Sequence, residues 1–508
     1  MPKGGIRVET VAALPRLAWV AEVPRAGGEV TVRCGAAVER AGEAIVEGVW
    51  DGPFAALDFD ASEAFFGTGL RLRGERVLAS ASSAPVDRLL YAELADRTVV
   101  ANSLPLLLAA TGARLVLDHD YFDELKASQR GRSGQPGRLL VRHPELVELR
   151  HLHLGNLVLE AGSTTIEFRG RRRELASYQE YLGRLRGTIA RLGENLASPA
   201  RRTPLEAWAV VSSGYDSAAV ACLARNAGVE RCFTTRPGPG PDAGLEDGTA
   251  VAAALGLECR TLRHPSTCAD ASEVAFYAPT VWGSEVGLIG ATRALAARAG
   301  AHALFTGHFG DVAWDVADVP FAPTDDLQRG VDDGLGLAEV RLVSGFVNVA
   351  VPVLFGRELD DLRRISRSPE MAPWRLGTRY DRPIPRRILE SAGVPRALFG
   401  QRKRAIWEAV WEQPFDAGVR AEFVAWLDRR LPGADRRLRA FRALTALDRA
   451  VLRWSRKLLA GRGFVRVPFA VQRRPLAGHD ARQLMFQYSN DLLADRYAAA
   501  LGVAPPPP

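Results

Sequence analysis

Residues 210–218 read VVSSGYDSA. An apolar strand pattern runs into two serines, a glycine and an aspartate, and a helical pattern follows. Parallel sheets bind ligands at the carboxyl ends of their strands. A strand over 206–211 would deliver Ser212, Ser213, Gly214, Asp216 and Ser217 to that edge. The unpaired N–H groups and positive end of the next helix suit an anion, phosphate above all. Small side chains let phosphate approach the backbone, and serine hydroxyls add donors. Asp216 would repel phosphate unless a cation lay between them, so Mg²⁺ bridging Asp216 and phosphate oxygens is expected. The G-x-x-x-x-G-K-[ST] pattern of a Walker A loop is absent. A serine-rich helix cap with Asp216 on the helix dipole accounts for the same residues without a ligand.

A second segment, LFTGHFGDVAWD at 304–315, again runs from a strand into a glycine-rich turn. Its His308 could serve as a general base near neutral pH, or simply be a hydrogen-bonded loop residue. A third, PGPDAGLEDGTAVAAALG at 239–256, follows the next strand and carries Glu246 and Asp247. These two acids read either as a metal or substrate contact or as helix-start acids on the dipole.

Three stretches together resemble the asparagine synthetase and related ATP-pyrophosphatase families. SSGYDS at 212–217 is similar to their S-G-G-x-D-S pyrophosphate loop, with Ser213 in place of a glycine. A positive φ at that serine would cost about 1 kcal/mol. The 304–315 segment resembles S-G-x-G-x-D-E, with Thr306 and Gly307 on the pair beside the nucleotide and Asp311 on the second metal- and pyrophosphate-linked aspartate. Val312 replaces the following acid, and His308 stands where the family carries an acid near the acyl-adenylate. YDRPIPRRILESAGVPRALFGQRKRAI at 380–406 resembles the late segment, in which Lys403 matches the lysine that neutralises pyrophosphate. A fixed cation stabilises the charge that develops on transferring phosphate. Arg402 and Arg404 flank it and compete for that role. The resemblance also puts Thr234 and Thr235 near the adenine.

Upstream, DGPFAALDFD at 51–60 and PVDRLLYAELADRTVVANSLPLLLA at 85–109 resemble the family's N-terminal-nucleophile glutaminase domain. Its chemistry requires a cysteine at residue 2, activated by its own α-amine. This sequence begins Met1-Pro2 and its first cysteine is Cys34, so the domain is expected to persist as scaffold without hydrolysing glutamine. β-Lactam synthetases and lasso-peptide cyclases are similar in arrangement. The resemblance covers most of residues 30–410. It implies an AMP-forming ligase using ATP and Mg²⁺, which activates a small-molecule or peptide carboxylate for attack by an amine. Asp216 and Asp311 would hold the metal. Ser212, Ser213, Gly214, Ser217, Thr234, Thr306 and Gly307 would line the nucleotide site. Lys403 and His308 would be catalytic. The departures at Ser213, His308, Val312 and the missing nucleophile instead suit a catalytically degenerate scaffold or regulatory protein. A tRNA-modifying relative is a third reading, opposed by the absence of C-x-x-C pairs.

The elements that must position these residues follow from periodicity. The first 170 residues are strand-rich, as in VTVRCGAAV, RTVVANS and LVLEAG. SQRGRSGQPGR at 128–138 reads as a mobile polar loop. Tyr178, Tyr181, Leu182, Leu185, Ile189 and Leu192 have helical spacing, and Pro199 and Pro204 end that helix. Strands and helices then alternate from EAWAVV to AHALFTG, which predicts a parallel sheet covered on both faces. Beyond about 330 the chain reads mainly helical, with tryptophans 374, 407, 411, 426 and 454 as packing residues. The expected fold is α/β. An α/β-β-α sandwich-like domain (1–170) precedes a parallel-sheet ATP-pyrophosphatase domain with a helical C-terminal part (171–470) and an extension with a disordered proline tail (471–508).

Composition narrows the rest. At 47% hydrophobic and 25% charged residues, 508 residues can build a sizeable core. The net charge of +7 is spread along the chain rather than concentrated beside aromatics, so no nucleic-acid partner is expected. Five cysteines, an odd number without C-x-x-C spacing, support neither a disulfide framework nor a zinc site. No signal-like start and no long apolar run occur, so a cytoplasmic protein with no membrane partner is expected. The sequence leaves a homo-oligomer open.

Overall fold

The computed structural model describes residues 5–117, 119–121, 124, 131–132, 134–170, 172–236, 247–263, 273, 275–276, 289–316, 337–378, 380–401, 417–431, 433, 436 and 481–505. Among these the chain is a mixed α/β protein with three sheets, one of them wholly parallel.

The first sheet has eight strands in the order β1 (Ile6–Thr10), β3 (Val30–Cys34), β2 (Trp19–Pro24), β9 (Arg97–Ala101), β8 (Leu89–Glu93), β12 (Glu148–Leu152), β11 (Gly137–Arg142) and β10 (Arg114–Leu115). Only the β1–β3 pair is parallel. The second sheet is antiparallel, in the order β14 (Ser163–Phe168), β13 (Gly155–Glu160), β7 (Arg76–Ser80), β6 (Phe65–Arg73), β5 (Ala44–Trp50) and β4 (Glu39–Ala41). Alternate residues of each strand point the same way. Trp19, Val32, Tyr91 and Val100 of the first sheet therefore meet Ile45, Leu70, Ala79 and Leu157 of the second in one core.

Helices lie on the outer faces of this pair. Leu104–Thr111, capped by Ser103 and ended by Gly112, packs on the first sheet. The helix Ala481–Leu501 shares its core through Phe486, Leu493 and Tyr497, and Arg114 donates to Asp491 at 3.3 Å. On the second sheet lies Tyr178–Leu196, begun by Ser177, whose hydroxyl accepts from the Glu180 N–H. All six apolar positions that predicted this helix are buried. Asn195 ties it to the sheet by donating to the Gly52 carbonyl at 2.7 Å.

The parallel sheet runs β17 (Glu258–Arg263), β16 (Arg231–Arg236), β15 (Leu205–Val210), β18 (Ala301–Thr306), β19 (Phe346–Ala350). Ala209, Cys232, Phe305 and Val347 face one core, and Trp208, Phe233, Leu304 and Phe346 face the other. The first four strands lie where the sequence predicts them. The fifth adds a strand to the region beyond 330, which is otherwise mainly helical among the described residues, as the sequence predicts. FVNVA is wholly buried, and a five-residue apolar run carries too little periodicity to tell strand from helix. Gly137 and Arg138, placed in a polar loop by sequence, pair in β11; residues 128–130 and 133 lie outside the described residues. Trp374 and Trp426 pack as expected, against Arg387 and in a buried cluster respectively. Trp407, Trp411, Trp454 and the last three prolines lie outside the described residues.

Candidate functional site

The central strand β15 delivers Val211 and Ser212 to the carboxyl edge of the sheet, where the Val211 N–H still donates to Phe233 at 2.8 Å. The chain then turns into the helix Tyr215–Ala224 with Gly214 as its cap. The turn is held by its own hydroxyls. The Ser212 N–H donates to Ser217 Oγ at 3.1 Å, the two serine Oγ atoms lie 2.6 Å apart, and the Gly214 N–H donates to Ser212 Oγ at 3.1 Å. Ser213 does not carry a positive φ, so serine replaces glycine there without left-handed strain.

The second loop is pressed against the first. A Cβ at Gly307 would come 2.6 Å from the Ser217 nitrogen, and one at Gly310 would come 2.6 Å from Asp216 Oδ1. Only glycine allows this approach, which sets the start of the short helix Gly310–Ala313, with Asp311 in it, beside Asp216. Between the glycines, buried Phe309 adopts φ 70°, a left-handed conformation that is strained for a bulky residue. The His308 ring lies edge-on to Phe309, with centroids 4.9 Å apart.

A third segment closes over both. The Gly400 N–H donates to the Ser213 carbonyl at 2.8 Å, and a Cβ at Gly400 would collide with the Tyr215 ring. Tyr380 stacks obliquely on Tyr215 at 4.8 Å and accepts from its N–H at 3.4 Å. Arg386 bonds the Tyr215 hydroxyl. Arg382, with a side chain 2% exposed, bonds the Asp216 carboxylate and lies 3.6 Å from Asp315. Burial pulls the Arg382 pKa down, but the charge and hydrogen bond of Asp216, with smaller contributions from Tyr380 and Asp311, hold it above the usual arginine value. Arg382 is therefore charged.

The structure thus brings Ser212, Ser213, Gly214, Asp216, Ser217, Gly307 and Asp311 to one edge. Thr306 ends β18 beside them, its hydroxyl donating to Asn348 of β19 at 2.7 Å. Thr234 is fully buried, and its hydroxyl accepts from the Gly248 N–H at 2.8 Å, which fixes the entry to the helix Thr249–Leu255. Asp247 accepts from Arg236 at 2.7 Å and from the Thr249 N–H at 2.9 Å. Lys403, Arg402, Arg404 and Glu246 lie outside the described residues.

Sequence reasoning missed Arg382, Tyr380, Asp315 and Asn348. No local feature of the sequence marks Arg382, which directly precedes the proline-led helix Pro383–Ser391.

A cation at this edge would find Asp216, with Asp311 on the adjoining short helix, and no group of three or more His, Cys, Asp or Glu able to hold a metal occurs among the described residues. That donor set does not form a protein cage. It fits Mg²⁺ that arrives with phosphate oxygens as its remaining ligands. No protein-family model matches the chain, and no curated protein matches it.

Proposed function

We propose that this protein is an ATP-dependent, amide-forming ligase of the asparagine synthetase-like type. The observation that carries the reading is the contact of Gly307 and Gly310 with Asp216, which joins a serine-rich helix start, two aspartates and a charged, buried arginine at one sheet edge. In this reading residues 1–170 form a glutaminase-like scaffold and the parallel sheet belongs to an ATP-pyrophosphatase domain. The protein acts in the cytoplasm without nucleic acid or membrane.

Ser212, Gly214 and Ser217 present N–H and hydroxyl donors to the triphosphate. Asp216 and Asp311 hold Mg²⁺, which supplies charge neutralisation of pyrophosphate. Arg382 exchanges Asp216 for a phosphate oxygen and offers a fixed guanidinium to the charge that develops at the transferring group. Lys403, two residues beyond the last described residue of its segment, supplies a second cation. The carboxylate substrate attacks the α-phosphorus to give an acyl-adenylate and pyrophosphate. His308 accepts the proton of the amine that then forms the amide, with AMP leaving.

Photolabelling with an azido-ATP and Mg²⁺, followed by peptide mapping, tests this reading. Label on peptides from 205–236 or 301–316 is expected. ATP-protectable label confined to other peptides, or none, would contradict it. One observation favours the scaffold reading instead: Arg382 already bonds Asp216, as it would in a site that never admits Mg²⁺.

A further inference from the structure

A cleft of about 710 Å³ lies apart from this edge, between segments that flank the strands of the second sheet, the helix Tyr178–Leu196 and the segment Val353–Glu358. We propose that it binds a small ligand through an oxyanion, a phosphate or a carboxylate, with Arg357 as the main cation. Independent features converge on it. Gly183 and Gly187 lie one helical turn apart and both line the cleft. A helix interior disfavours glycine relative to alanine, yet a Cβ at Gly183 would meet nothing within 4 Å. Packing does not require that glycine; what its bare backbone leaves is space in the cleft.

Facing that space, Phe355 has φ 66° and Leu154 has φ 68°. Both line the cleft, and non-glycine residues held in this region cluster at ligand clamps. The turn after Phe355 carries Arg357, whose buried Nε and Nη1 have no hydrogen-bond partner among the described residues. Burying such donors unsatisfied is unfavourable, and an oxyanion would satisfy them once the Arg357 side chain turns into the cleft. Several other lining charges have partners, while Arg169 Nε and Arg184 Nη1 also lack one among the described residues. Arg191 donates to Asp51 at 2.9 Å, Arg173 to Glu63 at 3.2 Å, and Glu358 accepts from the Arg173 N–H at 2.8 Å. Leu154, Val353 and Leu354 give one wall an apolar surface, so the ligand has an apolar body as well as its anionic group.

The proposal does not rest on the ligase reading, and one set of variants separates the two. Inorganic phosphate and butyrate are titrated calorimetrically into wild type, Arg357→Gln, Gly183→Leu and Asp311→Ala. Gly183→Leu fills the cleft with a better helix former, so its thermal midpoint should hold or rise while binding falls. A binding event weakened at least tenfold by both cleft variants and kept by Asp311→Ala supports the proposal. Which anion binds tells a phosphate ligand from a carboxylate. Binding of neither anion, or binding that Gly183→Leu leaves unchanged, overturns it. If Arg357→Gln does not fold, Gly183→Leu decides alone.

Discussion

Arg382 and Asp216, separated by 166 residues in sequence, are bonded to each other at the edge of the parallel sheet. The arginine side chain is almost wholly buried and the aspartate about one-fifth exposed. Removing one partner of a buried pair strands the other charge, at about 3–5 kcal/mol. Partial exposure of Asp216 lowers that figure. We therefore expect Asp216→Ala and Arg382→Ala each to cost about 2 kcal/mol in urea unfolding. The double variant should cost less than the sum, since both remove one interaction. Strict additivity would show that the pair is not coupled.

Gly310→Ala should be damaging out of proportion to one methyl group. Its Cβ would meet Asp216 Oδ1 at 2.6 Å, so the two loops must part. Overpacking of this kind costs about 1–3 kcal/mol. In the ligase reading it also removes ATP-dependent pyrophosphate release by tenfold or more. Gly183→Ala, a helical glycine without positive φ where a Cβ meets nothing within 4 Å, serves as the control for adding a methyl group without a clash.

Glu339 gives a pH dependence whose sign is specific. Burial pushes its carboxyl up to about 7, against opposing hydrogen bonds from Ser103 and Tyr497 and the charges of Arg88 and Arg341. A raised carboxyl favours the folded state below its unfolded pKa of 4.5, and that advantage is lost as pH rises through about 7. Glu339→Gln has no charge to bury. The variant should gain on wild type by on the order of 2 kcal/mol between pH 5 and pH 8. Urea midpoints at the two pH values check this, and a difference that shrinks with pH would refute it.

Arg341 clamps the antiparallel sheets to the parallel one. It donates to Glu47 of β5 at 2.6 and 2.9 Å and lies 2.7 Å from Asp87, with all three side chains at most 2% exposed. Burial lowers its pKa, but Asp87 and Glu47 more than offset this. Arg341→Ala should cost about 3–5 kcal/mol by leaving two buried carboxylates behind. A triple change to apolar residues of similar volume should recover most of it, as measured by thermal unfolding.

Cys34, the first cysteine in the sequence, should be unreactive in the folded protein. It is 2% exposed at the end of β3, and burial, only partly opposed by Arg202, pushes its thiol up to about 11. The thiolate is the reactive form. Iodoacetamide should leave Cys34 unmodified in the folded protein and alkylate it fully in urea, as read by peptide mass.

Local pattern made much of this architecture legible. Tyr178–Leu196 was readable because its apolar spacing and the following prolines agree. The four strands β15 to β18 were readable because helical stretches separate them. What was not legible is long-range. Asn348, which holds Thr306, sits on a strand of five residues that no periodicity marks. The docking of Ala481–Leu501 on Leu104–Thr111 joins segments far apart in the chain and leaves no mark in either segment alone. At the site, the serine loop and the glycine turn were recognisable as motifs. Arg382 was not, because an arginine before a proline looks like a surface residue until Asp216 is placed beside it.

The central claim is that this sheet edge binds ATP with Mg²⁺. Titration calorimetry of ATP with Mg²⁺, on wild type and on Asp216→Ala, tests it without knowledge of the carboxylate or the amine. We predict saturable binding in the micromolar range by wild type that weakens at least tenfold in Asp216→Ala. Folded wild-type protein that takes up no ATP, or binding that Asp216→Ala leaves unchanged, would contradict it.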